Sequence, residues 1–207
     1  AWRNAAKLDV VIDFSSPAGV DAALAHCRDG RGPFVSGTTG LDAAQRAAID
    51  AAAREIPVLC ASNFSLGVAV LTRLVRAAAA ALTDWDLEIL ETHHARKLDA
   101  PSGTALALGR AAAKARGQNF DDVAVLSREG QVGARPGGAI GFASVRAGDV
   151  IGEHTAMFAT AGERLELSHR ATDRAIFARG ALHAAAWLAG KPAGAYKIDD
   201  VISARRG

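Results

Sequence analysis

Three short apolar runs alternate with helical stretches in the N-terminal part of the chain, and this alternation constrains the fold most strongly. The runs begin at Asp9, Pro33 and Pro57, and each is followed by a stretch with helical periodicity. Asp42 and Gln45 stand at the two positions of a capping box, which predicts that the second helix begins just after Asp42. A strand–helix unit repeated three times predicts a parallel, doubly wound sheet.

Small polar residues follow each of these predicted strands. The segments are Ser15–Pro17, Gly37–Gly40 and Ala61–Phe64, and all three are rich in hydroxyl or amide side chains. Ligands of a doubly wound sheet bind beyond the carboxyl ends of its strands. We therefore interpret the three loops as one candidate ligand site.

The third predicted helix runs from about Ser65 to Leu82. We expect its buried stripe to consist of apolar residues at helical spacing, namely Leu66, Val70, Leu74 and Ala78. Beyond this helix the pattern changes to strands, with a helix opening at Pro101 and a closing helix over 173–190. The predicted fold class is therefore α/β plus α+β, with a mixed or antiparallel second sheet. The predicted domains are 1–64, 65–172 and a C-terminal helical segment, 173–207, that returns to the first.

Charge and composition argue against several classes of function. The 24 basic and 22 acidic residues are interspersed and give a net charge of +2, which does not favour nucleic-acid binding. No segment approaches the roughly 18 consecutive apolar residues of a membrane span. Cys27 and Cys60 have no partner at metal-ligand spacing, which favours free thiols in a reducing compartment. We expect a soluble, cytoplasmic protein.

The densest polar segment is Glu91–Thr104. His93 and His94 point to opposite faces of an extended strand, so no metal site is predicted there. His93 can act as an acid or base near neutral pH, and Lys97 can supply a proton or bind an anion. Ser102–Thr104 presents backbone N–H groups at a helix start, which suits a carboxylate or phosphate. The alternative is that His93 is structural and the Ser-Gly-Thr tripeptide is only a helix cap.

Three other residues are less informative from sequence. His169 shares a strand face with Leu165 and Leu167, so we expect a core role. The role of His154 stays open, and Arg146 could be structural or face a substrate.

The segment Glu91–Ala105 resembles the signature of the 4-hydroxy-tetrahydrodipicolinate reductase (dihydrodipicolinate reductase) family. The resemblance extends from Asp9 almost to the C-terminus, and an ordered series of this length is more specific than any single motif. The further matching segments are Gly37–Gly40, Ser62–Ser65, Ser127–Gly130, Gly141–Asp149 and Gly152–Thr155.

The resemblance implies a Rossmann-like dinucleotide-binding domain and a substrate domain whose sheet builds a homotetramer. It also implies an oxidoreductase that uses NADH or NADPH to reduce a small cyclic dicarboxylate to tetrahydrodipicolinate, in lysine and diaminopimelate biosynthesis. His93 would be the catalytic proton donor or acceptor and Lys97 a second proton donor. His94, Gly103 and Thr104 would bind substrate. The implied cofactor contacts are Gly37, Thr38, Thr39, Ala61, Ser62, Asn63 and Phe64.

One part of the family pattern does not match. The family begins with a strand and a glycine-rich loop that holds the cofactor pyrophosphate, whereas residues 1–8 contain no such turn. We interpret the chain as a fragment of a complete gene product, and we expect weak cofactor binding if it acts alone. The alternative is a non-catalytic truncated relic or assembly subunit of the same fold.

Overall fold

The computed structural model describes residues 8–30 and 32–203, which divide into two compact units. Described residues up to Ala69, together with those from Ala175 onward, form the first unit, and Val70–Arg174 form the second. The elements in chain order are β1 Val11–Asp13, α1 Pro17–Gly30, β2 Phe34–Ser36, α2 Ala43–Ala52, β3 Pro57–Cys60, α3 Leu66–Ala81, β4 Asp86–His93, α4 Gly103–Ala115, α5 Phe120–Val123, β5 Ala124–Val125, β6 Ile140–Arg146, β7 Gly152–Thr160, β8 Glu163–Ala171, α6 Ala175–Leu188, β9 Gly194–Tyr196 and α7 Ile198–Ser203.

The first unit contains the predicted doubly wound parallel sheet. Its strands lie in the order β1-β2-β3-β9, and every neighbouring pair is parallel. Phe34 packs with α1 and α2 on one face of the sheet, whereas Val35 packs with α6 on the other. This alternation follows from the two-residue period of a strand. Strand β9 was not predicted, because its three residues carry no apolar pattern that could be recognised.

The second helix begins as the sequence predicted. The Asp42 side chain accepts a hydrogen bond from the Gln45 backbone N–H at 2.8 Å, and the Gln45 side chain accepts one from the Asp42 backbone N–H at 3.2 Å. The capping box is therefore confirmed. It fixes where the loop after β2 ends, and this loop is one of the three candidate ligand loops.

The second unit is built on a five-stranded mixed sheet with the order β5-β6-β4-β7-β8. The central strand β4 pairs in parallel with β6 and antiparallel with β7. Leu87 and Ile89 of β4 point into a core shared with α3 and α4, whereas Leu90 lies on the opposite face and is 40% exposed. The predicted mixed second sheet is therefore present, with helices on one of its faces.

The predicted stripe of α3 was wrong in two of its four positions, whereas Ala78 packs against the core. Val70 and Leu74 are 45% and 49% exposed. The buried residues are instead Val68, Ala69, Leu71, Val75 and Ala79. Apolar side chains surround this helix on almost every side, so the helical period alone does not identify the face that packs on the sheet.

None of the helices within the described ranges combines the length and the apolar character that crossing a membrane requires.

Candidate active site

The second unit gathers its polar groups around Glu91, whose side chain is fully buried. Glu91 and His93 share a face of β4, and the His93 Nδ1 atom lies 2.5 Å from Glu91 Oε2. Arg146 is the register partner of His93 on β6. Its guanidinium donates to both carboxylate oxygens of Glu91, at 2.8 and 2.7 Å. The pairing of β4 with β6 therefore places a cation beside the buried acid.

The carboxylate of Glu91 is ionised because its hydrogen bonds stabilise the charged form by more than burial destabilises it. Burial alone would raise the pKa of Glu91, but hydrogen bonds from Arg146, Ser144 and His93 lower that pKa to about 2. A paired and hydrogen-bonded charge of this kind is stable in a protein interior, whereas an unpaired one is not. Glu91 is thus a fixed anion at neutral pH.

The start of α4 is held by the same carboxylate. The Ser102 backbone N–H donates to Glu91 Oε1 at 3.1 Å, and the Ser102 hydroxyl caps the helix by accepting from the Ala105 N–H at 3.2 Å. A Cβ added at Gly103 would meet no described atom within 4 Å, so the helix tip faces open space. The first-turn N–H groups and the helix dipole together make this tip suited to an anion.

His154 connects the helix cap to His93. It lies opposite Glu91 on β7 and is 4% exposed. Its Nε2 atom is 3.0 Å from the Ser102 hydroxyl, and its ring stands edge-on to the His93 ring with 5.1 Å between centroids. Burial, followed by the neighbouring His93, lowers the pKa of His154 to about 4. His154 is therefore a neutral imidazole at physiological pH.

The loop after β4 carries the other two predicted residues. The Lys97 N–H donates to the His94 carbonyl at 3.1 Å, and the Lys97 ammonium donates to Asp99 Oδ1 at 2.7 Å. Arg146 also donates to the Asp99 carbonyl at 2.7 Å, which ties this loop to β6. Burial and the adjacent cations lower the pKa of His94. The loop therefore presents the Lys97 ammonium group, which is held by an ion pair with the exposed carboxylate of Asp99.

The structure brings His93 and the α4 tip together through Glu91, a connection that the sequence analysis missed. Glu91 could have been found from its position two residues before His93 on an alternating strand. The contribution of Arg146 depends on the β4–β6 register, which sequence alone does not provide. Thr104 lies in the first turn of α4 beside Gly103.

In the first unit, Asp13 joins the loop after β1 to the loop after β2, which carries the predicted cofactor residues Gly37, Thr38 and Thr39. Asp13 ends β1, is 6% exposed, and accepts hydrogen bonds from the Ser15 hydroxyl at 2.6 Å, the Ser36 hydroxyl at 2.9 Å and the Thr38 hydroxyl at 2.7 Å. Burial tends to raise the pKa of Asp13, but these hydrogen bonds together lower it. Asp13 is therefore an anion that fixes the loops after β1 and β2.

Two phenylalanines and a glycine shape the surface of these loops. The Phe14 ring is 51% exposed and lies 5.2 Å from the buried Phe64 ring. A Cβ at Gly37 would clash with the Phe14 ring, so only glycine allows this approach. Asn63 Oδ1 accepts from the Ser65 N–H at 2.8 Å, and the Ala61 N–H donates to the Ser36 carbonyl at 3.0 Å. Thr39 and Ser62 are exposed at the same strand ends.

Replacing Asp13 with asparagine is expected to loosen these loops. The amide cannot accept every hydrogen bond that the carboxylate receives, so we expect a loss of about 1–3 kcal/mol in the free energy of unfolding. Urea unfolding of the variant measures this loss, with exposed Asp21 changed to Asn as the matched control. Equal stability of the two variants would contradict the organising role of Asp13.

The chain has a doubly wound unit with candidate ligand loops at its strand ends, and an α+β unit. These features define the class of two-domain proteins with a Rossmann-like nucleotide-binding unit. Comparison with known proteins agrees with this class. Residues 2–64 match the family model described as dihydrodipicolinate reductase, N-terminus, and residues 67–202 match the one described as dihydrodipicolinate reductase, C-terminus. The chain belongs to the dihydrodipicolinate reductase family.

The solved structures that are similar to this chain include the following two. The dipicolinate-bound dihydrodipicolinate reductase of Paenisporosarcina sp. TG-14 is 28% identical and has a TM-score of 0.75, covering 92% of this chain and 72% of that one. A probable dehydrogenase from Thermotoga maritima is 13% identical with a TM-score of 0.53, covering 95% of this chain and 74% of that one. The second likeness concerns the fold alone. Family and fold together indicate an oxidoreductase of the dihydrodipicolinate reductase type, with a nucleotide-binding first unit.

Proposed function

We propose that this chain reduces 4-hydroxy-tetrahydrodipicolinate to tetrahydrodipicolinate with NADH or NADPH, as a cytoplasmic enzyme of lysine and diaminopimelate biosynthesis. The observation that carries the proposal is the Glu91 carboxylate, which binds both His93 and the start of α4. An acid–base group and an anion-binding helix tip are thereby held in one arrangement. The similar enzyme of Paenisporosarcina binds dipicolinate, a cyclic dicarboxylate.

The substrate is held by groups of opposite charge. One carboxylate accepts hydrogen bonds from the backbone N–H groups of Gly103 and Thr104 and from the Thr104 hydroxyl. His94 and Lys97 contact the rest of the substrate from the loop after β4. The Lys97 ammonium can leave its exposed partner Asp99 at little cost, because a surface ion pair contributes at most about 1 kcal/mol.

Proton transfer is assigned to His93, with Lys97 as a second donor. The buried Glu91 carboxylate binds Nδ1 of His93 and also holds the start of α4, so the imidazole can exchange a proton with a substrate bound at the helix tip. A positioned acid of this kind typically accelerates a reaction by about a hundredfold to ten-thousandfold.

The cofactor is assigned to the loops of the first unit. NADH or NADPH, when bound, supplies the hydride. The exposed Phe14 ring at the strand ends offers a flat apolar surface that suits a nicotinamide ring. Because the Thr38 hydroxyl is engaged by Asp13, this loop would contact the cofactor through its backbone. The proposed contacts are Gly37, Thr38, Thr39, Ala61, Ser62, Asn63 and Phe64.

An enzyme assay tests the proposal. Freshly prepared substrate should cause oxidation of NADH or NADPH by the purified chain, and Thr104→Val should raise KM about tenfold because one hydrogen bond to a charged carboxylate is lost. The matched control is Thr160→Val at the exposed end of β7, which should leave KM unchanged. Absence of both turnover and nicotinamide-cofactor binding would instead support the non-catalytic assembly subunit.

We further propose that the open face of the second sheet builds a homotetramer. Leu90 and Val145 lie on this face, 40% and 51% exposed, and exposed apolar side chains that share a sheet face are typical of an association surface. Leu90→Lys should therefore dissociate the assembly in analytical ultracentrifugation. Leu182→Lys, at an exposed leucine of α6, is the control. A parent chain that sediments as a monomer would contradict this assignment.

A further inference from the structure

The two ring nitrogens of His93 have different surroundings. Nδ1 lies 2.5 Å from the Glu91 carboxylate. Nε2 faces Gly152, the first residue of β7, where an added Cβ would lie 3.0 Å from Nε2 and 3.3 Å from the adjacent ring carbon Cδ2. A side chain at position 152 would therefore press against Nε2, and glycine leaves the space beside this nitrogen open.

The hydrogen-bond partner of Nδ1 determines whether this nitrogen carries a hydrogen. An ionised carboxylate only accepts hydrogen bonds, so Nδ1 must carry a hydrogen in both the neutral and the charged imidazole. Glu91 cannot turn away to release it, because Arg146 binds both carboxylate oxygens and the Ser102 N–H binds one of them. The low pKa of Glu91 agrees with a permanent acceptor.

We infer that Glu91 is a positioning residue that holds neutral His93 as the Nδ1–H tautomer, and that Gly152 keeps Nε2 accessible as the proton-transferring atom. The catalytic role in this inference rests on the proposed function, whereas the tautomer assignment does not depend on that function. In the step it describes, the Nε2–H bond of the imidazolium breaks and the proton passes to the substrate. The Nδ1–H bond stays intact, and Glu91 remains ionised throughout.

Three strands and one loop supply the charged or titratable groups described near His93. Glu91 comes from β4 itself, Arg146 from β6 and His154 from β7, while Lys97 belongs to the loop after β4. Arg146 is neutralised by its bidentate pair with Glu91, and His154 is uncharged near neutral pH. Loss of the Glu91 charge therefore removes the anion at Nδ1 and also leaves the Arg146 guanidinium unpaired.

The tautomer is measured directly by ¹⁵N NMR of histidine-labelled protein, with the His93 signals assigned by their absence in His93→Gln. At a pH where His93 is neutral, the parent should show a protonated Nδ1 and an unprotonated Nε2. In Glu91→Gln, the side-chain amide can donate to Nδ1, so the tautomer should shift toward Nε2–H. A parent His93 protonated on Nε2 would overturn the inference, whether or not the chain has activity.

The kinetic consequence is tested with Glu91→Gln against Glu88→Gln. Glu88 lies on the same strand but on the opposite face, where Arg128 and Arg135 pair with it. We expect Glu91→Gln to lower kcat about a hundredfold with KM little changed, because the side-chain carbonyl of the introduced glutamine still accepts from Ser102. Equal kcat values for the two variants would refute the positioning role.

Gly152→Ala provides a second test that does not disturb the buried ion pair. Its β carbon should crowd Nε2 and lower kcat about tenfold, while the thermal unfolding midpoint stays near that of the parent. The control is Gly137→Ala, where an added Cβ meets no described atom within 4 Å. If Gly152→Ala turns over as fast as this control, Nε2 is not the reacting atom. If the NMR result holds but no variant or parent shows turnover, the proposed reaction fails and the tautomer assignment stands.

Discussion

Replacing His93 with glutamine should lower kcat by about a hundredfold to ten-thousandfold, because the general acid is removed while the shape of the site is kept. The glutamine amide can still donate to Glu91, so the carboxylate remains satisfied and α4 keeps its attachment. Steady-state kinetics with saturating cofactor measures the change. Binding of dipicolinate should be little affected, because the helix tip is intact.

The matched control for this variant is His183→Gln, which changes an exposed histidine of α6 in the first unit. Its kcat should equal that of the parent. Comparable turnover by the His93 and His183 variants would remove His93 from the mechanism, and the Glu91–His93 pair would then be structural.

Replacing Arg146 with methionine should destabilise the second unit by about 3–5 kcal/mol, the typical cost of leaving a buried charge without its partner. The Glu91 side chain has no exposed surface and Arg146 has only 20%, so loss of the guanidinium would leave a poorly hydrated carboxylate. Urea unfolding gives the free energy directly. At low pH the difference from the parent should shrink, because protonation of Glu91 removes the unpaired charge.

Arg128→Met is the corresponding control on the other face of β4. Arg128 binds both oxygens of Glu88, as Arg146 does for Glu91, but these side chains are 32% and 18% exposed. Arg135 continues to pair with Glu88 in this variant. We expect a cost of about 1 kcal/mol or less. Similar losses in both variants would show that burial does not decide the strength of the Glu91 pair.

Local rules predicted the elements that position the candidate site. The capping box at Asp42, the alternation of β4 and the Ser102–Thr104 helix start all depend on residues close in sequence. Because these signals are short-range, the strand that carries His93 and the helix tip could be placed from sequence. The motif series also identified the family, which the family models confirm.

Features that depend on long-range packing were not predicted. Arg146 reaches Glu91 only because β6 pairs with β4 in one register, and Asp13 collects hydroxyl groups from two separate loops. The buried face of α3 was predicted wrongly in two positions, since an alanine- and valine-rich helix has several apolar stripes and the sheet selects one. His169, expected in the core, is only partly buried, because β8 lies at the edge of its sheet.

A crystal structure of the chain with bound dipicolinate tests the central claim most directly. One carboxylate of the ligand should accept hydrogen bonds from Gly103 and Thr104 at the start of α4, with the ring beside Nε2 of His93. A dicarboxylate bound at any other place in the second unit, with the α4 tip empty, would contradict the account.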